Sequence, residues 1–121
     1  MKLRLTAALG IVALCASLGA PSVPVSAAGD TILFGSAVSL TGSLTKEGHL
    51  TQEGYDFWKS YVNSHGGIKV GGKSYKVDIK YYDDESKPAT AAQLAERLID
   101  QDHVNFILGP YGSGTAFTVA Q

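Results

Sequence analysis

Residues 105–115 (NFILGPYGSGT) constrain the fold of this chain more than any other stretch. A short apolar strand runs directly into a glycine-rich loop, and the loop delivers Ser113 to the start of a helix. Amides at a helix start have no intrahelical acceptor, and the helix dipole adds positive potential there. Glycines at such a place let the backbone approach a ligand closely. The pattern predicts a strand–loop–helix unit, whose loop reads either as a recognition loop for a small anion or as an ordinary βα turn.

The remaining sequence repeats that unit. Thr31–Val38 (TILFGSAV) is mostly apolar and suits a strand buried on both faces. Residues 39–48 (SLTGSLTKEG) read as a Gly/Ser/Thr loop, and residues 49–64 as a helix. Leu50, Gly54, Phe57, Trp58 and Tyr61 recur at helical spacing, which predicts a core-facing stripe. His65-Gly66-Gly67 stops that helix. Residues 68–70, a Gly71-Gly72 turn and a strand over 75–82 form a small hairpin. The second of these strands alternates, with Tyr75, Val77, Ile79 and Tyr81 against Lys76, Asp78 and Lys80. That predicts one wet face or an edge position. Ser86 and Pro88 open a second helix with a stripe of Ala91, Leu94, Ala95, Leu98 and Ile99. Its end is poorly signalled, because Asp100 and Asp102 oppose the helix dipole. Residues 104–108 form the last strand.

The order β-α-β-α-β-(α) predicts an α/β fold, a Rossmann-like parallel sheet with helices on both faces. Counting the strands at 31–38, 75–82 and 104–108, the spatial order is 2-1-3. The topological switch then lies between the first and third, where ligands bind beyond the carboxyl ends of the strands. The loops at 39–48 and 109–114 converge on that crevice.

The first 28 residues read as a secretory signal peptide. Lys2 and Arg4 precede an apolar run over 5–18, and small residues at Val25-Ser26-Ala27-Ala28 place cleavage near Ala27 and Ala28. The apolar run is shorter than the roughly 20 residues a bilayer span needs. Cys15 follows Leu14 rather than a small residue, which disfavours a lipoprotein anchor. Cleavage removes this single cysteine, so the mature chain has neither disulfides nor thiolate chemistry. It also removes two of ten cations and none of eleven acids, leaving 8 against 11 and a net charge of −3. A mildly acidic body without a basic patch argues against nucleic acid. The chain stops at Thr118-Val-Ala-Gln121, in a helix that has just begun. It is therefore expected to be the N-terminal piece of a longer protein, residues 29–121 being an incomplete lobe.

Several residues carry the chemistry. The loop at 109–115 lacks the lysine of a phosphate-binding P-loop and the spacing of a dinucleotide fingerprint. Capture of a small carboxylate fits it better, with the Ser113 hydroxyl and the amides around Gly112 and Gly114 as donors. Tyr111 is placed to line the pocket with its ring or hydroxyl. Glu47 and Lys46, at the end of the first loop, either reach the crevice or point to solvent. Asp83-Asp84-Glu85 is compatible with a divalent cation, but reads better as a solvated approach to the following helix. His49, His65 and His103 lack metal-ligand spacing. Nothing in the sequence supports catalysis, a metal or a cofactor.

These residues also resemble a known family, the substrate-binding proteins of ABC importers of the branched-chain amino acid type. The resemblance rests on an ordered set of segments across residues 31–121. GSAVSLTGSLTKEG at 35–48 is similar to that family's first loop, and NSHGGI at 63–68 to its Asn-x-x-Gly-Gly-Ile segment. Tyr82-Asp83-Asp84 with Pro88, and the stretch from Phe106 to Ser113, follow at matching spacing. The resemblance implies the type I periplasmic binding protein fold, with two lobes closing on a ligand, and a periplasmic location. It implies that Ser113 binds the ligand's α-carboxylate, and that the ligand is an amino acid, amide or aromatic acid passed to a membrane permease. A glutamate at position 47 departs from the family's usual apolar or aromatic residue and speaks against a purely aliphatic ligand. A ligand-sensing receptor domain of the same fold, or an α/β enzyme, are the alternatives.

Overall fold

The computed structural model describes residues 31–121; the signal-peptide reading of residues 1–28 lies outside them. The elements are β1 (Thr31–Val38), α1 (Thr45–Ser64), β2 (Ile68–Val70), β3 (Lys73–Asp83), α2 (Pro88–Asp100), β4 (Phe106–Ile107) and α3 (Ser113–Val119). They form one four-stranded sheet in the order β2-β3-β1-β4. β1 pairs in parallel with β3 along its whole length, from Thr31 opposite Lys76 to Val38 opposite Asp83. On its other side it pairs in parallel with β4 at Phe34–Phe106 and Gly35–Ile107. β2 is the antiparallel arm of the hairpin and reaches only to Tyr75.

The α/β class and the 2-1-3 order of the parallel strands are therefore those the sequence predicts. One detail differs. Over Lys73–Tyr75 the sheet edge belongs to β2 rather than to β3. β4 is also shorter than residues 104–108, but its pairing extends through single bonds. Asn105 N–H donates to the Leu33 carbonyl at 2.7 Å and Leu108 N–H to the Gly35 carbonyl at 2.8 Å.

Alternation along β1 places helices on both faces. Phe34 points to one side, where Trp58 of α1 meets it edge-on at 5.2 Å between ring centroids. Gly35 points to the other, where an added Cβ would lie 2.9 Å from Leu98 of α2. β3 repeats the division. The Tyr81 hydroxyl donates to Asp56 of α1, whereas the Tyr82 ring lies 4.7 Å from the Arg97 guanidinium of α2. Lys80 and the Tyr82 hydroxyl both donate to Asp102. Their hydrogen bonds hold the Asp102 carboxyl below its ordinary range. Asp102, which opposes the dipole of α2, is thus tied to the sheet. The core is small and lies between β1, β3 and α2, in Ala37, Val38, Val77, Ile79, Ala91, Ala95 and Leu98. Leu94 is half-buried, and Ile99 is exposed at the margin of the α2 stripe.

The start and rotation of α1 correct the sequence reading. The helix begins at Thr45, four residues before His49, so the loop is residues 39–44 and Glu47 lies in the first helical turn. The reason is Gly48. It is buried inside the helix, and a Cβ there would sit 1.9 Å from the Ser39 carbonyl oxygen. This glycine permits a close crossing of helix over strand end; it does not break the helix. The crossing fixes which side of α1 faces the sheet, the side carrying Gly48, Tyr55, Trp58 and Asn63. The predicted stripe points mostly outward instead. Leu50, Phe57 and Tyr61 are exposed, Phe57 at 74 %, and nothing approaches Gly54. Only Trp58 of that set packs on the sheet.

Candidate functional site

β1, β3 and β4 are parallel, so their carboxyl ends lie at one end of the sheet, and three loops emerge there: residues 39–44, 84–87 and 108–112. The first and third flank the switch between β1 and β4. They are neighbours. A Cβ built on Gly112 would lie 3.9 Å from the Leu44 side chain. The Ser36 hydroxyl at the end of β1 donates to the Leu108 carbonyl at 3.1 Å.

Each of these loops leads into a helix N-terminus. Leu44 precedes α1 and Gly112 precedes α3, and among the described residues neither helix has a side-chain cap. The first intrahelical bonds are Gly48 N–H to Leu44 and Ala116 N–H to Gly112. The amides of Thr45, Lys46 and Glu47, and of Ser113, Gly114 and Thr115, therefore have no intrahelical acceptor. Two helix starts whose amides lack intrahelical acceptors thus flank the switch between β1 and β4.

The predicted residues fall as follows. Ser113 is the first residue of α3 and is exposed, and its hydroxyl has no partner among the described residues. Gly112 precedes it at φ 89° and ψ 127°, a backbone shape that a side chain would strain. Gly114 follows in the first turn with nothing near its Cα, and its carbonyl accepts from the Thr118 hydroxyl. Tyr111 is 46 % exposed. Residues 111–114 thus lie beyond the carboxyl end of β4, beside Leu44. Glu47 is half-buried in the first turn of α1, where its charge favours the helix dipole. Among the described residues its carboxylate bonds to no side chain.

The loop at residues 84–87, with Asp83 just before it, holds what the sequence reading missed. Asp83-Asp84-Glu85 is only in part a solvated helix approach, since Glu85 is exposed but Asp84 is fully buried, and among the described residues it is not part of a metal-ligand group. Asp83 accepts from Leu40 N–H at 3.0 Å, Thr41 N–H at 3.1 Å, the Thr41 hydroxyl at 2.7 Å and Glu85 N–H at 2.9 Å. Burial pushes its carboxyl upward, but these bonds outweigh that and hold it below its ordinary value. Asp84 is fully buried. One oxygen takes the Ser39 hydroxyl at 2.6 Å and Ser86 N–H at 2.8 Å, and the other has no partner among the described residues. The Ser86 hydroxyl donates to the Thr41 carbonyl at 2.7 Å and accepts Leu44 N–H at 3.0 Å. Aspartates that accept the amide two residues on are the ordinary makers of Asx turns, the local signal available in this sequence.

A further anchor comes from α1. The Tyr55 hydroxyl donates to the Gly109 carbonyl at 2.7 Å, and burial raises its pKa. This tether joins the first helix to the loop that carries Tyr111 and Ser113.

A switch-point crevice in a parallel sheet is shared by many proteins, and comparison with known proteins resolves which. Residues 31–121 match the model of the periplasmic binding protein family. The chain belongs to that family. Among solved structures, it is similar to LivJ, the substrate-binding protein of a branched-chain amino acid transporter from Streptococcus pneumoniae, solved in complex with isoleucine. The two are 29% identical, with a TM-score of 0.66 over 74% of this chain and 24% of that one. A solute-binding protein of an ABC transporter from Rhodopseudomonas palustris BisB5, in complex with 3,4-dihydroxybenzoic acid, is 32% identical. Its TM-score is 0.60, covering 75% of this chain and 23% of that one. A third, from R. palustris in complex with benzoate, is 29% identical with a TM-score of 0.58, over 74% and 23%. The chain spans about a quarter of the length of these relatives. As a periplasmic binding protein it has the type I lobe fold. Its relatives are solute-binding proteins rather than enzymes, and the family is extracytoplasmic.

Proposed function

We propose that residues 29–121 are the N-terminal part of the first lobe of a two-lobed solute-binding protein of an ABC importer. The protein captures a small carboxylate, an amino acid or an aromatic acid or a related amide, and delivers it to a membrane permease. Residues 1–28 are a signal peptide cleaved near Ala27 and Ala28. The Ser113 hydroxyl and the amides around Gly112 and Gly114 hold the ligand's carboxylate. Tyr111 lines the pocket, and Glu47, one turn into α1, meets the rest of the ligand.

One observation carries this reading: a serine hydroxyl without a partner among the described residues, at a helix start with no side-chain cap, beside a second such helix start at the switch of the sheet. Both termini favour negative charge. Isoleucine, benzoate and 3,4-dihydroxybenzoate, seen in the relatives, differ in nearly everything except the carboxylate they share. Glu47 adds a negative charge at the crevice, which favours an amino acid's ammonium over a plain aromatic acid.

Thermal unfolding of the full-length protein with each of these three compounds tests the reading. A ligand at a hundred times its Kd stabilises the native state by about 2.7 kcal/mol, a shift of several degrees. Unfolding that is indifferent to all three, and to other amino acids and amides, contradicts it.

A further inference from the structure

We propose that Ser86, with Asp83, is a positioning residue for ligand binding: it holds residues 39–44 in the shape that forms one wall of the crevice. This rests on the reading of that crevice as the ligand site.

The argument begins with strain. Glu85 and Ser86 are consecutive non-glycine residues at φ 55° and 61°. Such residues are uncommon, and a pair persists only where the surroundings over-determine it. Here the two aspartates do so. Glu85 N–H is held by Asp83 and Ser86 N–H by Asp84. The turn thereby aims the Ser86 hydroxyl across 42 to 45 residues of sequence, at Leu44 N–H and the Thr41 carbonyl. Asp83 takes the amides of Leu40 and Thr41 from the same side. Gly42 threads between: at φ 86°, a Cβ there would lie 2.5 Å from the Glu85 carbonyl and 2.6 Å from the Ser86 hydroxyl.

The result is selective. The bonds consume the amides of Leu40, Thr41 and Leu44 and the Thr41 hydroxyl. They leave the amides of Gly42, Ser43 and the first turn of α1 free among the described residues. Residues 41–43 are exposed, so without this brace a loop of that composition samples many shapes. A protein whose competent shape is only partly populated binds more slowly and weakly in proportion to that fraction. Ser86 touches the loop and acts on the ligand only through it.

Glycine at position 86 separates brace from fold, because it deletes the hydroxyl and also relieves the left-handed backbone. The test is stopped-flow binding of isoleucine, benzoate and 3,4-dihydroxybenzoate to full-length wild type, Ser86→Gly and Ser113→Ala. For Ser86→Gly we expect an association rate down by about tenfold and a dissociation rate within about twofold of wild type. Its ligand-free melting temperature should stay within about 2 °C of wild type. Ser113→Ala should show the opposite split, with the dissociation rate raised. A wild-type association rate in Ser86→Gly overturns the inference while leaving the ligand site intact. A raised dissociation rate alone makes Ser86 a ligand contact and overturns it too. If wild type binds none of the three compounds, nor other amino acids and amides, the crevice reading falls, and this inference with it.

Discussion

Residues 39–44 leave β1 into a lattice of hydrogen bonds from Asp83, Asp84 and Ser86, whereas residues 108–112 leave β4 almost unheld. In that loop, among the described residues, side chains reach only two carbonyls, through Ser36 to Leu108 and Tyr55 to Gly109. A Cβ added at Gly109 or Gly114 would meet nothing within 4 Å, and Tyr111 is exposed. One wall of the crevice is therefore built before a ligand arrives, and the other is open backbone with a free serine. The contrast fits a division of labour. On the proposed function, the braced loop would supply shape and the glycine loop the donors for a carboxylate.

Substitutions can break or sharpen this contrast. The largest effect is expected at the foot of the braced loop. Gly48→Ala drives a methyl into the Ser39 carbonyl, backbone that cannot step aside. It should cost about 3 kcal/mol or more in chemical denaturation. Asp83→Ala, which strips four hydrogen bonds from a partly exposed turn, should cost about 2–3 kcal/mol. Its pH dependence has a definite sign. The folded-state pKa of Asp83 is depressed, so its contribution is present above the unfolded-state pKa and is lost as pH falls through the folded value. Wild type should lose stability in that acid window, and Asp83→Asn should lose less over the same window. On the open side, Tyr55→Phe removes one hydrogen bond, for about 1 kcal/mol, and should free the Gly109 loop to exchange amide protons faster. The smallest change is a gain. Gly54→Ala, on the outer face of α1 with nothing near it, should stabilise by about 0.5–1 kcal/mol.

The same contrast marks what the sequence could reveal. The open loop was legible because its signals are local: an apolar strand, glycines and a serine at a helix start, all within residues 105–115. The sheet order was legible for the same reason, since buried and alternating strands differ in composition. The braced loop was not. Its bonds join Ser39 to Asp84 and Leu44 to Ser86 across more than forty residues, and no periodicity reports such a pairing. Gly48 misled for a related reason. Within SLTKEG it has the look of a loop residue, and only the crossing over Ser39 explains it. That crossing also rotates α1, turning Leu50, Phe57 and Tyr61 outward although their spacing suits a buried stripe. Helical spacing defines a stripe but not what the stripe faces.

The central claim is that Ser113 holds a ligand carboxylate at an otherwise open helix start. Calorimetric titration of full-length wild type and Ser113→Ala with the best-stabilising of isoleucine, benzoate and 3,4-dihydroxybenzoate tests it most directly. A lost hydrogen bond to a charged group predicts binding weaker by about 1.5–3 kcal/mol, with unfolding stability unchanged within about 0.5 kcal/mol for an exposed residue. Equal affinity in the two proteins would contradict the account.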